Sequence, residues 1–243
     1  MVGQDPPSNV YVRNKVNTAR EVGIDCNVTL CIDTITTKAL ISVVNVYNAE
    51  KLMDGFIIQL PLPRHIDVEA VTTAINPEKD VDGLHLINQG LLLRGTPRFI
   101  PATPLGIIEL LRRNNCTTSG KRIVIVGHST IVGRPLAAAL LLKGEMGDAT
   151  VTIAHALTEN LPNVCREAEI LIVAIGKPRF ITADFVRPGA VVVDVGITNV
   201  DGKLVGDVDF ISVGEVASAI TPVPGGVGPM TVTMLLRNTI DAC

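Results

Sequence analysis

The stretch from Lys121 to Val195 leaves few folds open. Lys121–Val126 is apolar and β-branched and reads as a buried strand. It ends in Gly127-His128-Ser129-Thr130-Ile131-Val132-Gly133-Arg134-Pro135, after which a helix is expected from Leu136. Apolar runs of strand length recur at Ala149–His155, Glu169–Ile175 and Ala190–Val195, with a helix expected near Leu161–Ala168. Such alternation implies an α/β fold with a parallel sheet and right-handed crossovers. A strand, a glycine turn and a helix start also present backbone N–H groups to a pyrophosphate in Rossmann units. The two glycines here are six positions apart, not in the usual Gly-x-Gly-x-x-Gly. A nucleotide-binding turn and a purely structural β–α turn therefore both stand open. The second strand ends Ala154-His155-Ala156. That end offers neither the acid that holds ribose hydroxyls nor an arginine for a 2′-phosphate.

The chain ahead of this unit mixes periodicities. Pro6-Pro7-Ser8-Asn9 is a helix start that Ser8 or Asn9 can cap, and the helix stops at Gly23. Tyr11 and Lys15 then share one helix face. A surface lysine beside a half-buried tyrosine accounts for that spacing as well as a site does. A strand is expected within Asp25–Asp33, a helix over Lys38–Asn48, and, over Asp54–Leu60, a turn pair followed by a buried strand that stops at Pro61-Leu62-Pro63. Gln59 falls at the carboxyl end of that strand, where open α/β sheets place ligands. Asp67–Ile75 reads as a helix and Asn76–Gly83 as a polar loop. Thr103 can cap a long apolar helix whose first turn holds Pro104, and the crossover between domains is placed there. The tail Thr221-Pro222-Val223-Pro224-Gly225-Gly226-Val227-Gly228-Pro229-Met230 is a stiff loop with exposed backbone. It suits a rigid connector as well as a loop that a ligand approaches closely. A closing helix is expected over Thr231–Ala242.

Composition removes several classes. At 243 residues and 47% hydrophobic, the chain can build one large core or two small ones. A net charge of −3 with no basic stripe argues against a nucleic-acid partner. Mean hydropathy is +0.39. The apolar runs nevertheless end in charge, Gly or Pro well short of the roughly 18 residues that a membrane span needs. The first residues lead into a turn, not a signal peptide. Cysteines 26, 31, 116, 165 and 243 form no Cys-x-x-Cys pair, so reduced thiols and a cytoplasmic location are expected. Histidines 65, 85, 128 and 155 make no metal-ligand cluster, and no metal is expected.

Five motifs then converge. They are Tyr11-Val12-Arg13-Asn14-Lys15, Asp54-Gly55-Phe56-Ile57-Ile58-Gln59-Leu60-Pro61-Leu62-Pro63, Pro77–Gly83, Gly127–Pro135 and Pro222–Thr231. In this order they resemble the bifunctional methylenetetrahydrofolate dehydrogenase/cyclohydrolase family across nearly the whole chain. The resemblance implies two domains joined by long helices, with folate in the cleft between them. One is an N-terminal α/β folate domain (residues 1–103, with 230–243 returning); the other is a Rossmann-like cofactor domain (104–229). It implies oxidation of 5,10-methylenetetrahydrofolate by a nicotinamide cofactor, hydrolysis of the methenyl product to 10-formyltetrahydrofolate, and a homodimer. Lys15 is implied as the acid/base group, Gln59 as its hydrogen-bond partner, Tyr11 as the ring stacked on folate, and Asp82 as the pterin anchor. Leu60, Pro61, Pro224, Gly225 and Gly226 are implied at the folate. Thr103, Gly127, His128, Ser129, Gly133, Pro135, His155, Gly196 and Ile197 are implied at the cofactor.

The position of the pair also matters. Short-chain dehydrogenases use a Tyr-x-x-x-Lys pair that follows the nucleotide unit, whereas here it precedes that unit by more than a hundred residues. A monofunctional dehydrogenase and a non-catalytic folate- or nucleotide-binding protein also stay open as functions. Two departures from the family pattern stand out. NADP-using members carry Gly-Arg-Ser where this chain has Gly127-His128-Ser129, and serine where it has Ala156. NADP is still the expected cofactor, with NAD as the alternative. Members also begin with a helix and a first strand ahead of the helix bearing Tyr11 and Lys15, and Met1-Val2-Gly3 resembles only the tail end of that strand, so lower stability or altered subunit contacts are expected.

Overall fold

The computed structural model describes residues 1–3 and 6–243, without the side chains of residues 6–10. Two compact units result: Met1–Leu91 with Pro97–Ala102 and Val232–Cys243, and Leu92–Thr96 with Thr103–Thr231.

The first unit holds α1 (Pro6–Glu21), α2 (Thr37–Ala49), α3 (Val68–Thr73) and most of α4 (Leu86–Arg94). The helix α1 begins ahead of Ser8 and Asn9, whose expected capping side chains lie outside the described residues. Two other helix starts follow ordinary capping chemistry. Thr36 accepts from the Ala39 N–H at 3.2 Å and Asp67 from the Ala70 N–H at 3.0 Å, each satisfying a first-turn donor. Leu40, Val44, Ile66, Val71 and Ile75 form the core, with Phe56 and Ile58 packed on it.

The strands expected in this unit are corrected. Among the described residues, 25–33 and 54–60 form no continuous ladder, and only the parallel bridges Val2↔Cys31 and Phe56↔Asp80 occur. The Phe56 N–H donates to the Lys79 carbonyl at 3.0 Å, but no run of such bonds extends it. Apolar alternation supplies a face for a strand; the ladder needs a partner that pairs residue after residue.

The second unit opens with α5 (Ala102–Arg113). It continues through β1 (Arg122–Val126), α6 (Gly133–Leu140), β2 (Thr150–Ala154), α7 (Leu161–Arg166), β3 (Ile170–Val173) and β4 (Val191–Asp194). A hairpin follows, of β5 (Thr198–Val200) and β6 (Lys203–Val205), then α8 (Phe210–Gly214) and β7 (Ala219–Ile220). The last helix, α9 (Val227–Ala242), starts in the second unit and ends in the first.

The main sheet is parallel with order β2-β1-β3-β4-β7. Its central strands β1, β3 and β4 read as apolar runs because both faces are covered, whereas the edge strand β2 alternates with threonine and is largely exposed. Side chains alternate between two cores. Val124, Val126, Leu171, Val173 and Val192 join Leu161 and Cys165 of α7. Ile123, Ile125, Ile170, Ile172 and Val193 join Ile107 and Leu111 of α5 and Leu136 and Leu140 of α6.

Some boundaries shift. Helix α6 begins at Gly133, three residues before the expected Leu136, and α9 at Val227, four before Thr231. Thr103 lies inside α5 and does not cap it; its hydroxyl meets that of Thr231 at 3.1 Å. The β5–β6 hairpin turns at Asp201-Gly202, which take φ of 50° and 79° as a tight hairpin turn requires.

Candidate active site

In the first unit the structure brings Lys15 to Gln59. The Lys15 Nζ donates to Gln59 Oε1 at 3.1 Å, and Gln59 Nε2 donates to the Leu60 carbonyl at 2.7 Å. The second bond fixes the amide so that its oxygen, not its NH2, faces the amine. Both residues line a cavity of about 500 Å³ together with Val12, Val16, Cys26 and Phe56. Burial lowers the Lys15 pKa, opposed by the negative charge of Asp82 and by Cys26. Burial raises the Asp82 pKa, opposed by Lys15. Removal from water thus drives both groups toward their neutral forms while their mutual attraction favours the ion pair. Burial thus makes this amine readier to give up its proton than a lysine in water.

Tyr11 lies one turn before Lys15 on α1, and burial raises the pKa of its phenol. Neither Tyr11 nor Asp82 is among the residues lining the cavity. Leu60 joins Pro61 through a cis peptide.

Asp82 sits in a tightly tied loop. Asp80, 2% exposed, accepts from the His85 N–H at 2.8 Å, the Leu84 N–H at 3.2 Å and Asn88 Nδ2 at 2.8 Å, so it closes the start of α4. Asn238, on α9, donates to the carbonyls of Val81 and Ile100, each at 2.9 Å. Sequence reasoning missed Asp80 and Asn238. Only an Asp a few residues ahead of an apolar helix could have pointed to the first. Asn238→Ala strips one buried and one part-buried carbonyl of their donor. It is expected to lower unfolding stability by about 2–3 kcal/mol in urea denaturation, and an unchanged midpoint and slope would refute the tie.

In the second unit the carboxyl ends of β2, β1, β3 and β4 line up through the pairs Ala154↔Val126, Val126↔Val173 and Val173↔Asp194. The chain passes from β1 to β2 on one side and crosses to β3 on the other, so the topological switch point lies between β1 and β3. Gly127, His128, Ser129, Gly133 and Pro135 follow β1 at this point, His155 follows β2, and Gly196 and Ile197 follow β4. Thr103 stands apart from them in its contacts.

Gly127 has φ of +134°, and a Cβ there would come within 2.2 Å of the Ala174 carbonyl oxygen. At Gly133 a Cβ would meet the Gly127 carbonyl oxygen at 2.0 Å. Both glycines therefore serve close packing of the turn. Ser129 accepts from the Val132 N–H through Oγ at 3.2 Å and from the Arg134 N–H through its carbonyl at 3.1 Å. The side chain of Val132, at the cap position of α6, makes no capping bond. A helix start at a switch point fits the diphosphate of a dinucleotide. His128 and His155 stack edge to face, with ring centroids 5.1 Å apart and planes at 82°.

Pro224 follows a cis peptide from Val223, and Gly225 has φ of +107°. At Gly226 a Cβ would meet the Pro222 carbonyl oxygen at 2.6 Å, so this loop also needs its glycine for packing.

A Rossmann-like second unit with a helix start at its switch point, and a first unit holding a half-buried lysine against an amide, define a class of two-domain dinucleotide-dependent enzymes. The comparisons with known proteins narrow that class. The catalytic-domain model of tetrahydrofolate dehydrogenase/cyclohydrolase matches residues 1–82, and the NAD(P)-binding-domain model of the same family matches residues 101–243. The bifunctional protein FolD of Lactococcus lactis subsp. cremoris is 53% identical over 243 residues, all of this chain and 84% of its own length. The crystal structure of the bifunctional FolD methylenetetrahydrofolate dehydrogenase/cyclohydrolase of Campylobacter jejuni superposes with a TM-score of 0.94 at 44% identity, covering 99% of this chain and 85% of that one. The Trypanosoma brucei dehydrogenase-cyclohydrolase, solved with NADP and an inhibitor, gives 0.92 at 38% identity, covering 99% and 84%. The chain belongs to the tetrahydrofolate dehydrogenase/cyclohydrolase family.

Proposed function

We propose that this chain oxidises 5,10-methylenetetrahydrofolate to the 5,10-methenyl form and hydrolyses that product to 10-formyltetrahydrofolate. The observation that carries the reading is the Lys15–Gln59 hydrogen bond at 3.1 Å in a cavity where burial lowers the lysine pKa. Hydrolysis adds water to a cationic methenyl carbon and then breaks a ring C–N bond. Both halves need a group that moves protons near neutrality. Lys15 is the acid/base group, helped by the positive charge of the bound methenyl carbon, which pushes its pKa further down. Gln59 orients the amine without holding it as an ammonium ion. Tyr11 stacks on the folate, Leu60 and Pro61 flank Gln59 against it, and Asp82 accepts from the pterin N–H donors.

A nicotinamide cofactor supplies the hydride acceptor when bound in the second unit. The backbone of Gly127–Gly133 holds the diphosphate, with Ser129, Pro135, His155, Gly196 and Ile197 shaping the remaining contacts. NADP is the proposed cofactor. NAD is the alternative, because His128 and Ala156 stand where the family's 2′-phosphate contacts occur. Following nicotinamide absorbance with each cofactor tests this: higher kcat/KM with NADP is expected, and a clear NAD preference overturns it. The absence of methylenetetrahydrofolate turnover with either cofactor would overturn the dehydrogenase reading itself.

Gln59→Glu places a carboxylate beside Lys15 and raises the lysine pKa. The rise of hydrolysis rate with pH is expected to move up by about one unit or more. A profile that stays in place would remove Gln59 from the proton path.

Assembly as a homodimer and a cytoplasmic location complete the proposal. Val28, Leu30 and Ile32, 48%, 52% and 71% exposed along one extended segment, give a second copy an apolar edge to cover. Five unpaired cysteines suit a reducing compartment, and among the described residues no helix is long and apolar enough to cross a membrane. Sedimentation velocity measures the assembly.

A further inference from the structure

Two buried carboxylates in the second unit have no part in the chemistry above. Asp194, 4% exposed, ends β4, and Asp207, fully buried, follows β6. Among the described residues neither forms an ion pair. Their partners are backbone N–H groups. Asp194 Oδ1 accepts from Gly196 and Asp207, both at 2.9 Å, and Oδ2 accepts from Val208 at 3.0 Å. Asp207 Oδ2 accepts from Ile175 at 2.7 Å and Gly176 at 2.8 Å, while its Oδ1 has no partner. The backbone of Asp194 is held in turn by Thr221, whose Oγ1 accepts from the Asp194 N–H at 2.8 Å.

Two glycines make this approach possible. A Cβ at Gly196 would sit 2.3 Å from the Asp207 carboxyl carbon, and one at Gly206 would sit 1.8 Å from Asp194 Oδ2. The arrangement is costly. Burial pushes Asp194 up to about 6, and burial also pushes Asp207 up, against the pull of the Gly176, Ile175 and Lys177 N–H groups. A buried oxygen without a partner carries its full desolvation penalty. A merely space-filling pair would be replaced at a gain by apolar side chains.

The location supplies a reason for that cost. The donors Ile175 and Gly176 follow β3, and Gly196 follows β4, so both loops lie at the carboxyl ends of the strands. The residue before Ile175, Ala174, carries the carbonyl on which Gly127 packs. The loops beside the switch point are thereby locked to one another through side chains that never reach the surface.

We infer that Asp194 and Asp207 are positioning residues for the nicotinamide cofactor, fixing the loops after β3 and β4 against which it lies. The inference rests on the reading of this strand edge as the cofactor site. Neither carboxylate touches cofactor or folate; each acts through the backbone it holds.

The two activities of one chain provide the test, since hydrolysis of supplied methenyltetrahydrofolate needs no nicotinamide cofactor. Asp207→Ala is expected to weaken binding of NADP and NAD, measured by titration calorimetry, by roughly tenfold or more. Dehydrogenase KM for the cofactor rises in step, and hydrolysis changes by less than about twofold. Amide hydrogen exchange at Ile175 and Gly176 accelerates. Asp207→Asn keeps an oxygen for both N–H groups and is expected to recover most of the affinity; Asp194→Asn provides an independent variant. Parallel loss of both activities would mark a structural role and overturn the inference, as would unchanged cofactor affinity in a folded Asp207→Ala. If the wild-type chain binds neither cofactor, the reading of the site falls and the inference with it.

Discussion

Lys15→Met is expected to abolish hydrolysis of methenyltetrahydrofolate while leaving folate bound. The loss should reach about 10²–10⁴-fold, the usual contribution of a positioned proton-transfer group. Methionine is close in length to the lysine stem, so the apolar cavity lining that includes Val12 and Val16 is retained. Stability gives an independent check. Burial depresses the folded-state pKa of Lys15 below 10.5. The unfolded chain therefore binds more protons between the folded pKa and 10.5, and stability rises with pH across that window. At neutral pH the folded protein bears the cost of a half-buried ammonium. Methionine removes that cost but leaves Gln59 Oε1 without its partner. The variant should therefore unfold within about 1 kcal/mol of the parent at pH 7, and any advantage should shrink as pH approaches 10.5. Full hydrolase activity in this variant would sink the assignment of Lys15, and a collapse of stability would make the lysine a structural element.

Gly127→Ala has the largest expected effect on the second unit. Alanine at φ of +134° is strained, and its methyl group would sit 2.2 Å from the Ala174 carbonyl oxygen. Backbone contacts of that kind do not yield as a flexible side chain does. The β1 turn must move away from the end of β3, at a cost of about 2–4 kcal/mol. Chemical denaturation should show that loss, and cofactor titration should show binding reduced at least as strongly, because the turn and the loop after β3 move together. A variant with parental stability and cofactor affinity would mean that Gly127 does not pack on Ala174.

Much of this is legible in the chain, and the limits have physical causes. The parallel sheet can be read because Ile123–Val126, Ile170–Val173 and Val191–Val193 are covered on both faces, so no polar residue interrupts them. Segments 25–33 and 54–60 look similar in composition, yet the sequence does not say whether a neighbour will pair along their length. Lys15 and Gln59 are 44 residues apart, and their meeting is implied only by the family resemblance. Nothing in the sequence singles out Asp194 and Asp207. Asp194 is a lone acid in an apolar run and Asp207 one of two acids in Gly206-Asp207-Val208-Asp209, and what gives them meaning is the backbone brought to them by Gly196 and Gly206. Glycines at such sites look like turn residues until the close approach is seen. Pro135 and Pro229 place the expected starts of α6 and α9 too late, because each helix begins two residues before its proline.

The split course of α9 bears on how the protein is made. Residues 103–231 form a continuous stretch of chain apart from 92–96, which precede them. They can begin to fold as they leave the ribosome. The first unit has to wait. Its Val81 carbonyl acquires the Asn238 donor only after 157 more residues have been synthesised. Closing so long a loop makes the contact slow to form. The loop bearing Asp82 is thus among the last parts to be secured, and a nascent chain would complete its nucleotide-binding unit before its folate-processing one.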